Sequence, residues 1–254
     1  MKKYKNYLIV FFLPIIIFLI GLLLNKIYPF GSKILLSLDG YNQYPGFLNT
    51  FINSLTTSKS LIYSFNGLLG FNSYANFVYY TFNLTNLIYL FFNGHVIEFY
   101  TFIIILKTGL ASLSMYILLN YFKKDKQNIL FSITYGLTTY YLLYYLNYMW
   151  FDSIILLPLV TMGIEKIFKE NKYLTYIITL SLAIISNFYI GYMICIFSVI
   201  YFIYKLINDK CNKKIIITYI LSSLAAGLLS SFALIPAILE LLKGKSTLFS
   251  GYVK

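Results

Sequence analysis

The sequence contains no arginine, one histidine, one tryptophan and two cysteines, and only 11% of its residues are charged. Each scarcity removes a class of protein. A soluble domain carries roughly 25% charged residues, and the 20 lysines and eight acids of this 254-residue chain are too few to cover a water-facing surface. A single histidine, His95, excludes a histidine metal cluster and argues against a Ser-His-Asp triad. Cys195 lies in an apolar run and Cys211 in a Lys-rich loop. On one helix they would stand about 24 Å apart along the axis, too far for a disulfide. The lysines fall between apolar runs, not in a basic patch interleaved with exposed aromatics, so a net charge of +12 does not indicate nucleic acid.

What is present is apolar: 59% of the chain is hydrophobic and 20% is aromatic. The N-terminus has a basic start and then an apolar run over 7–24 with no small-x-small cleavage site, the pattern of a signal anchor. Further runs at 96–121, 129–147, 151–168, 173–190, 191–207 and 215–234 bring the candidate spans to seven. The stretch 76–92 (NFVYYTFNLTNLIYLFF) is also apolar, and charge decides it. If it stays out of the count, 13 lysines (2, 3, 5, 123, 124, 126, 166, 169, 172, 205, 210, 213 and 214) face the cytoplasm and six (26, 33, 59, 243, 245 and 254) face outside. If it spans, ten of the 13 move outside, against the positive-inside rule. The expectation is an all-α, multi-pass bundle in the cell membrane with a cytoplasmic N-terminus and a single domain. It comprises a first span (7–24), a long extracytoplasmic loop (25–95) with 76–92 interfacial or re-entrant, six further spans (96–234) and an extracytoplasmic tail (235–254). The sequon Asn83-Leu84-Thr85 is read as chance.

Polar residues at membrane depth are costly and mark function, and here they gather toward the external side. The first external loop reads Ser37-Leu38-Asp39-Gly40-Tyr41-Asn42-Gln43-Tyr44-Pro45-Gly46, with Asp39 its first carboxylate. Two external turns read Asn147-Tyr148-Met149-Trp150-Phe151-Asp152 and Asn187-Phe188-Tyr189-Ile190-Gly191-Tyr192. A carboxylate at a lipid-water boundary suits a general base; on residue type alone an Asx-turn or a helix cap is the favoured reading of Asp39. Asp152, at the head of an apolar run, divides between a cap and a site residue. Asn147, Trp150, Asn187 and Tyr189 offer the amides and rings that bind a sugar, with interfacial anchoring the other reading of Trp150. Lys107 lies too deep to snorkel, where an ammonium costs about 2.5–3.5 kcal/mol and faces a partner. It is either a counter-ion for a lipid-linked phosphate or half of a buried pair, for which Glu98 on the same run is poorly placed. Glu165 and Glu240 read as solvated boundary charges.

The order of signal anchor, Asp39 followed by Gln43-Tyr44, SFNGLLGFNSYANFVYYTFNLTNLIYLFF, ILKTGLASLSMYILL, SITYGLTTYYLLYYLNYMWFDSIILLPLVTMGIEKI and NFYIGYMICIF resembles the bacterial YfhO-like membrane proteins. The Asn-x-Met-Trp-x-Asp turn and the following Leu-Pro-Leu are its most specific part. The resemblance implies a GT-C-type glycosyltransferase that takes a sugar from a polyprenyl-phosphate carrier and passes it to a cell-surface polymer such as lipoteichoic acid. Its partners would be the bilayer, that donor, the acceptor polymer and other envelope glycosylation proteins. It also implies that Asp39 is the catalytic residue, with Gln43 and Tyr44 beside it, and that Lys107 or a bound divalent metal ion meets the leaving phosphate. Proteins of this kind are generally several times longer, so the likeness is to their N-terminal portion, and a fragment or a form completed by a partner is expected. A transporter or flippase of lipid-linked sugars and a non-catalytic membrane scaffold are the competing readings.

Overall fold

The computed structural model describes residues 2–57, 60–64, 71–209 and 212–250, with side-chain surroundings for 4–57, 60–63, 72–209 and 212–242. Cys211, Lys59, Lys210, Lys254 and part of the SFNGLLGFNS motif therefore lie outside the described residues.

Uninterrupted apolar runs form the long helices, because a backbone in lipid must satisfy its own hydrogen bonds. Among the described residues, α1 (Lys2–Leu24), α5 (Val96–Phe122) and α10 (Phe188–Asn208) are each long and apolar enough to cross a bilayer. Two more helices, α11 (Lys213–Leu229) and α12 (Ser231–Ser250), meet at Ser230 with a bend of 73° and make a broken fourth candidate. Between α1 and α5 lie α2 (Asp39–Asn42), α3 (Tyr44–Thr56), the two-residue antiparallel strands β1 (Tyr63–Ser64) and β2 (Phe71–Asn72), α4 (Ser73–Tyr80) and a 3₁₀ segment, Leu84–Phe92. The stretch 76–92 is thus broken at 81–83 and makes no single helix.

The run 129–147, counted above as one span, is corrected by the structure. It forms α6 (Asn128–Gly136), α7 (Thr139–Leu143) and part of a 3₁₀ segment, Tyr145–Trp150. The β-branched Thr138 and Thr139 and the crowded tyrosines lose side-chain freedom in a helix, and Thr138 adopts ψ 153°. The breaks let tyrosine hydroxyls turn inward to carbonyl partners: Tyr135 donates to Ile154 O (2.9 Å) and Tyr141 to Lys107 O (3.5 Å). A straight helix would have pointed part of this ring of phenols into lipid, where an unpaired hydroxyl is costly. Next come α8 (Phe151–Glu170) and α9 (Leu174–Ser186). At 13 residues, α9 is about 20 Å long, short of a hydrocarbon core of about 30 Å.

Helix α5 is the central post, packing on α1, α6, α8 and the Leu84–Phe92 segment. The N-terminal half of α5 (Phe99, Tyr100, Ile103, Ile104) shares a core with Leu48, Phe51 and Ile52 of α3, Phe77 of α4, and Tyr148 and Met149. A second core joins α8 to α11 through Val160, Ile164, Tyr176, Leu180, Ile194 and Tyr219. Large apolar side chains such as Leu8, Ile20, Ile200, Leu221 and Leu228 remain on the outside of the bundle, as lipid requires.

Helices α8 and α9 approach closely at Gly163 of α8. A Cβ there would stand 2.5 Å from the Tyr176 Cα and 2.7 Å from its N, both backbone atoms of α9. Neither can swing aside, so Gly163→Ala is expected to separate the helices and cost about 1–3 kcal/mol, read as a lowered melting temperature of the purified protein in detergent.

Glu165, two residues further along α8, is not a solvated boundary charge. It is 1% exposed, held by the ammonium groups of Lys169 (2.9 Å) and Lys205 (3.1 Å) and by the Tyr201 hydroxyl (2.7 Å). Burial with complementary partners is what makes a carboxylate tolerable there. Glu240 accepts from Asn72 Nδ2 (3.1 Å), which ties α12 to the long region between α1 and α5.

Candidate functional site

The long loop between α1 and α5 carries Asp39 at the first position of α2, following Leu38 in a left-handed conformation (φ 49°). Asp39 is exposed, and among the described residues no donor is bonded to its carboxylate. The cap and Asx-turn alternatives would need such a donor. Gln43, at the C-terminal cap of that short element, is exposed. The buried Gly40 faces the Leu146 side chain, which presses α2 against the Tyr145–Trp150 segment.

From Asp39 a continuous aromatic surface extends. Its nearest members are Tyr44 and Tyr80, whose rings stand 5.4 Å apart. Burial pushes the Tyr44 phenol above its usual pKa, and the Tyr80 phenol and the Asp39 carboxylate add to the effect. Such a phenol stays protonated and donates: its hydroxyl bonds Asn147 Oδ1 at 2.9 Å. Tyr80 packs edge-on against Tyr79 (4.6 Å), whose hydroxyl accepts from Trp150 Nε1 (3.4 Å). Trp150 is half-buried, and its ring lies 6.1 Å from that of Tyr189 at 38°. Asn187 caps α10 by accepting from Ile190 N (3.0 Å) and donates to Tyr79 O (3.0 Å). Tyr44, Asn147, Trp150, Asn187 and Tyr189 are therefore drawn together around Tyr79 and Tyr80.

Asp152 and Lys107 sit beneath this surface. Lys107 is fully buried on α5, and its Nζ lies 2.5 Å from Asp152 Oδ2. The same ammonium donates to Tyr148 O (2.9 Å) and stands 4.9 Å from the Tyr148 ring centroid. Asp152 Oδ2 also accepts from Asn83 Nδ2 (2.9 Å) and Thr85 Oγ1 (3.0 Å), and Asn83 Nδ2 reaches Met149 O (3.0 Å). Asp152 does not cap α8; its charge is spent on the pair. The ammonium of Lys107 is thus wholly buried, and its carboxylate partner comes from α8.

Four residues of this cluster, Asn83, Thr85, Tyr79 and Tyr80, were not singled out from the sequence. Asn83 and Thr85 carried a signal all the same: two polar side chains two residues apart in an apolar stretch, whose sequon spacing was read as chance. Asn83 is 2% exposed, so its amide serves the interior. No three His, Cys, Asp or Glu side chains gather to hold a metal ion among the described residues, and Asp39 stands without a second carboxylate.

A family model described as "Bacterial membrane protein YfhO" matches residues 10–253. The chain belongs to this family. It is similar to the uncharacterized protein YfhO of Bacillus subtilis (strain 168), with 33% identity over 75 residues, which is 29% of this chain and 9% of that protein. No solved structure matches the chain. A YfhO-family chain is a membrane protein, which accounts for the apolar exteriors of α1, α10 and α11. The Asn-x-Met-Trp-x-Asp turn is where surface and interior meet: Asn147 and Trp150 face the aromatic surface, while Tyr148 and Asp152 hold Lys107.

Proposed function

We propose that this YfhO-family membrane protein is a GT-C-type glycosyltransferase working on the extracytoplasmic face of a multi-pass chain with a cytoplasmic N-terminus. It moves a sugar from a polyprenyl-phosphate carrier to a surface polymer such as lipoteichoic acid. The observation that carries this reading is the junction of one exposed, unbonded carboxylate with a continuous set of amides and rings. A sugar needs both, because its hydroxyls take hydrogen bonds and its apolar face stacks on aromatics. Asp39 accepts the proton of the acceptor hydroxyl as that oxygen bonds to the anomeric carbon, and the bond from that carbon to the carrier phosphate breaks with inversion. Asn147, Trp150 and Tyr189 bind or orient the sugar, with Gln43 beside the base, while the buried Tyr44 and Asn187 hold that surface in place through Asn147 Oδ1 and Tyr79 O. Lys107 and Asp152 act as positioning residues, because they hold Tyr148 and so the turn that presents Asn147 and Trp150.

A cavity of about 440 Å³ lined by Leu36, Tyr41, Asn42, Pro45, Val96 and Ile97 opens beside α2 at the head of α5. Its mixed lining next to Asp39 suits the start of an isoprenoid chain. The transporter reading gains less support. The hydroxyls deep in the bundle are spent on one another, Tyr176 on Ser198 (2.7 Å) and Ser223 (3.0 Å), and Ser198 on Tyr219 (2.8 Å).

The test pairs cells and vesicles. Surface polymers from cells lacking the gene are expected to lose one sugar substituent, and the protein reconstituted with a polyprenyl-phosphate sugar is expected to transfer it to added acceptor. An unchanged glycan profile together with no transfer in vesicles overturns the proposal.

A further inference from the structure

At the opposite end of α1 and α5 from Asp39, a cavity of about 330 Å³ is lined by Asn6, Tyr7, Tyr116, Asn120, Lys124, Asp125 and Lys126. We propose that it seats the phosphodiester headgroup of an anionic phospholipid, a binding role separate from sugar transfer.

Its position comes first. Helices α1 and α5 are both apolar enough to cross a bilayer and pack directly on each other. Gly109 permits the approach, since a Cβ there would lie 2.7 Å from Phe11 O. A cavity at the shared end of two such helices opens at the headgroup level, whichever leaflet that is. Tyr7 and Tyr116, edge-on at 5.2 Å, line it with the rings that favour this zone.

The second observation is an unbalanced charge. On the same side of the bundle, Lys169 and Lys205 are paired with Glu165, and Lys172 with Glu170. Among the described residues no ion pair involves Lys124 or Lys126, nor the adjacent exposed Lys5 and Lys123. Against these four stands one carboxylate, Asp125, whose Oδ1 accepts from Gln127 N (3.0 Å) and so fixes the turn. Asn120 Oδ1 accepts from Asn128 Nδ2 (2.9 Å), which leaves its own amide hydrogens as the donors it can offer. Ammonium groups, an amide donor and phenols around a space within the roughly 300–1,000 Å³ range of small-ligand sites match a phosphate that carries a glycerol. Basic pockets between membrane helices recognise such headgroups.

The experiment titrates the purified full chain with phosphatidylglycerol or phosphatidylcholine and counts bound lipid by native mass spectrometry. Selective retention of phosphatidylglycerol is expected, and K124Q/K126Q should weaken it about 30-fold, the factor for two lysine contacts near a charged headgroup. The matched charge loss K213Q/K214Q, at the exposed start of α11, should leave retention unchanged. Equal retention of both lipids, or equal weakening by both double variants, overturns the proposal. So does displacement of the lipid by inorganic phosphate or glycerol 3-phosphate at equal concentration, which would assign the site to a soluble phosphate.

Discussion

Asp152→Leu is expected to destabilise the protein by about 3–5 kcal/mol, the cost of leaving one member of a buried ion pair without its partner. Lys107→Met should cost less. The two differ because the partners left behind differ. Without Lys107, the Asp152 carboxylate keeps the Asn83 amide and the Thr85 hydroxyl, at 2.9 and 3.0 Å, and its side chain is 9% exposed. Without Asp152, the wholly buried ammonium keeps one carbonyl, Tyr148 O, and a ring face 4.9 Å away, and no anion. The double variant K107M/D152L removes both charges at once and should fall well short of the sum of the singles, because a hydrophobic replacement of a buried pair is often close to neutral. Thermal melts of the four proteins in one detergent measure the cycle. Additive single effects would show that the pair is not an energetic unit, and the role of Lys107 and Asp152 in holding the Tyr145–Trp150 segment would fall with it. If the pair also serves the site, the double variant, although folded, should show weakened sugar transfer through displacement of Asn147 and Trp150.

Lys107 also shows how far a sequence can be read. Its depth in an apolar run declares an anomaly, since an ammonium at that position must have a partner. The partner is invisible because the search along the same helix finds Glu98, whereas the real one stands on α8, brought there by the rotation of two packed helices. The runs that became α1, α5 and α10 were legible because hydropathy and length suffice to define a helix in lipid. The run 129–147 was not, because hydropathy measures the wish to leave water and cannot distinguish burial in lipid from burial against α5 and α8. Its tyrosines encode the difference, through hydroxyls that need protein partners. Glu165 failed in the opposite sense: lysines near it in sequence looked like a solvated cluster, but the bundle buries the carboxylate and holds it with one of them, Lys169, and with the distant Lys205 of α10. At the candidate site, residue type located Asn147, Trp150 and Tyr189 and the buried Asn187, but their hub, Tyr79 and Tyr80, lay within a stretch whose aromatic richness looked like generic interface composition.

Asp39→Asn carries the largest expected effect on activity. If Asp39 is the base, the amide keeps the size and most of the polarity of the carboxylate and loses only the ability to take the acceptor's proton. The rate constant for transfer should fall by about 10²–10⁴, the usual contribution of a positioned general base. Two controls follow from the geometry. The side chain is exposed and no described residue donates to it, so the melting temperature should stay within the small range of a surface substitution. Donor affinity should also change little, because the rings and amides proposed to bind the sugar are untouched. A variant that loses donor binding and transfer in equal measure would make Asp39 a ligand contact, and one that transfers at the normal rate would remove it from the chemistry. The discriminating measurement is single-turnover transfer in vesicles at saturating donor, since there a binding defect vanishes and a missing base does not.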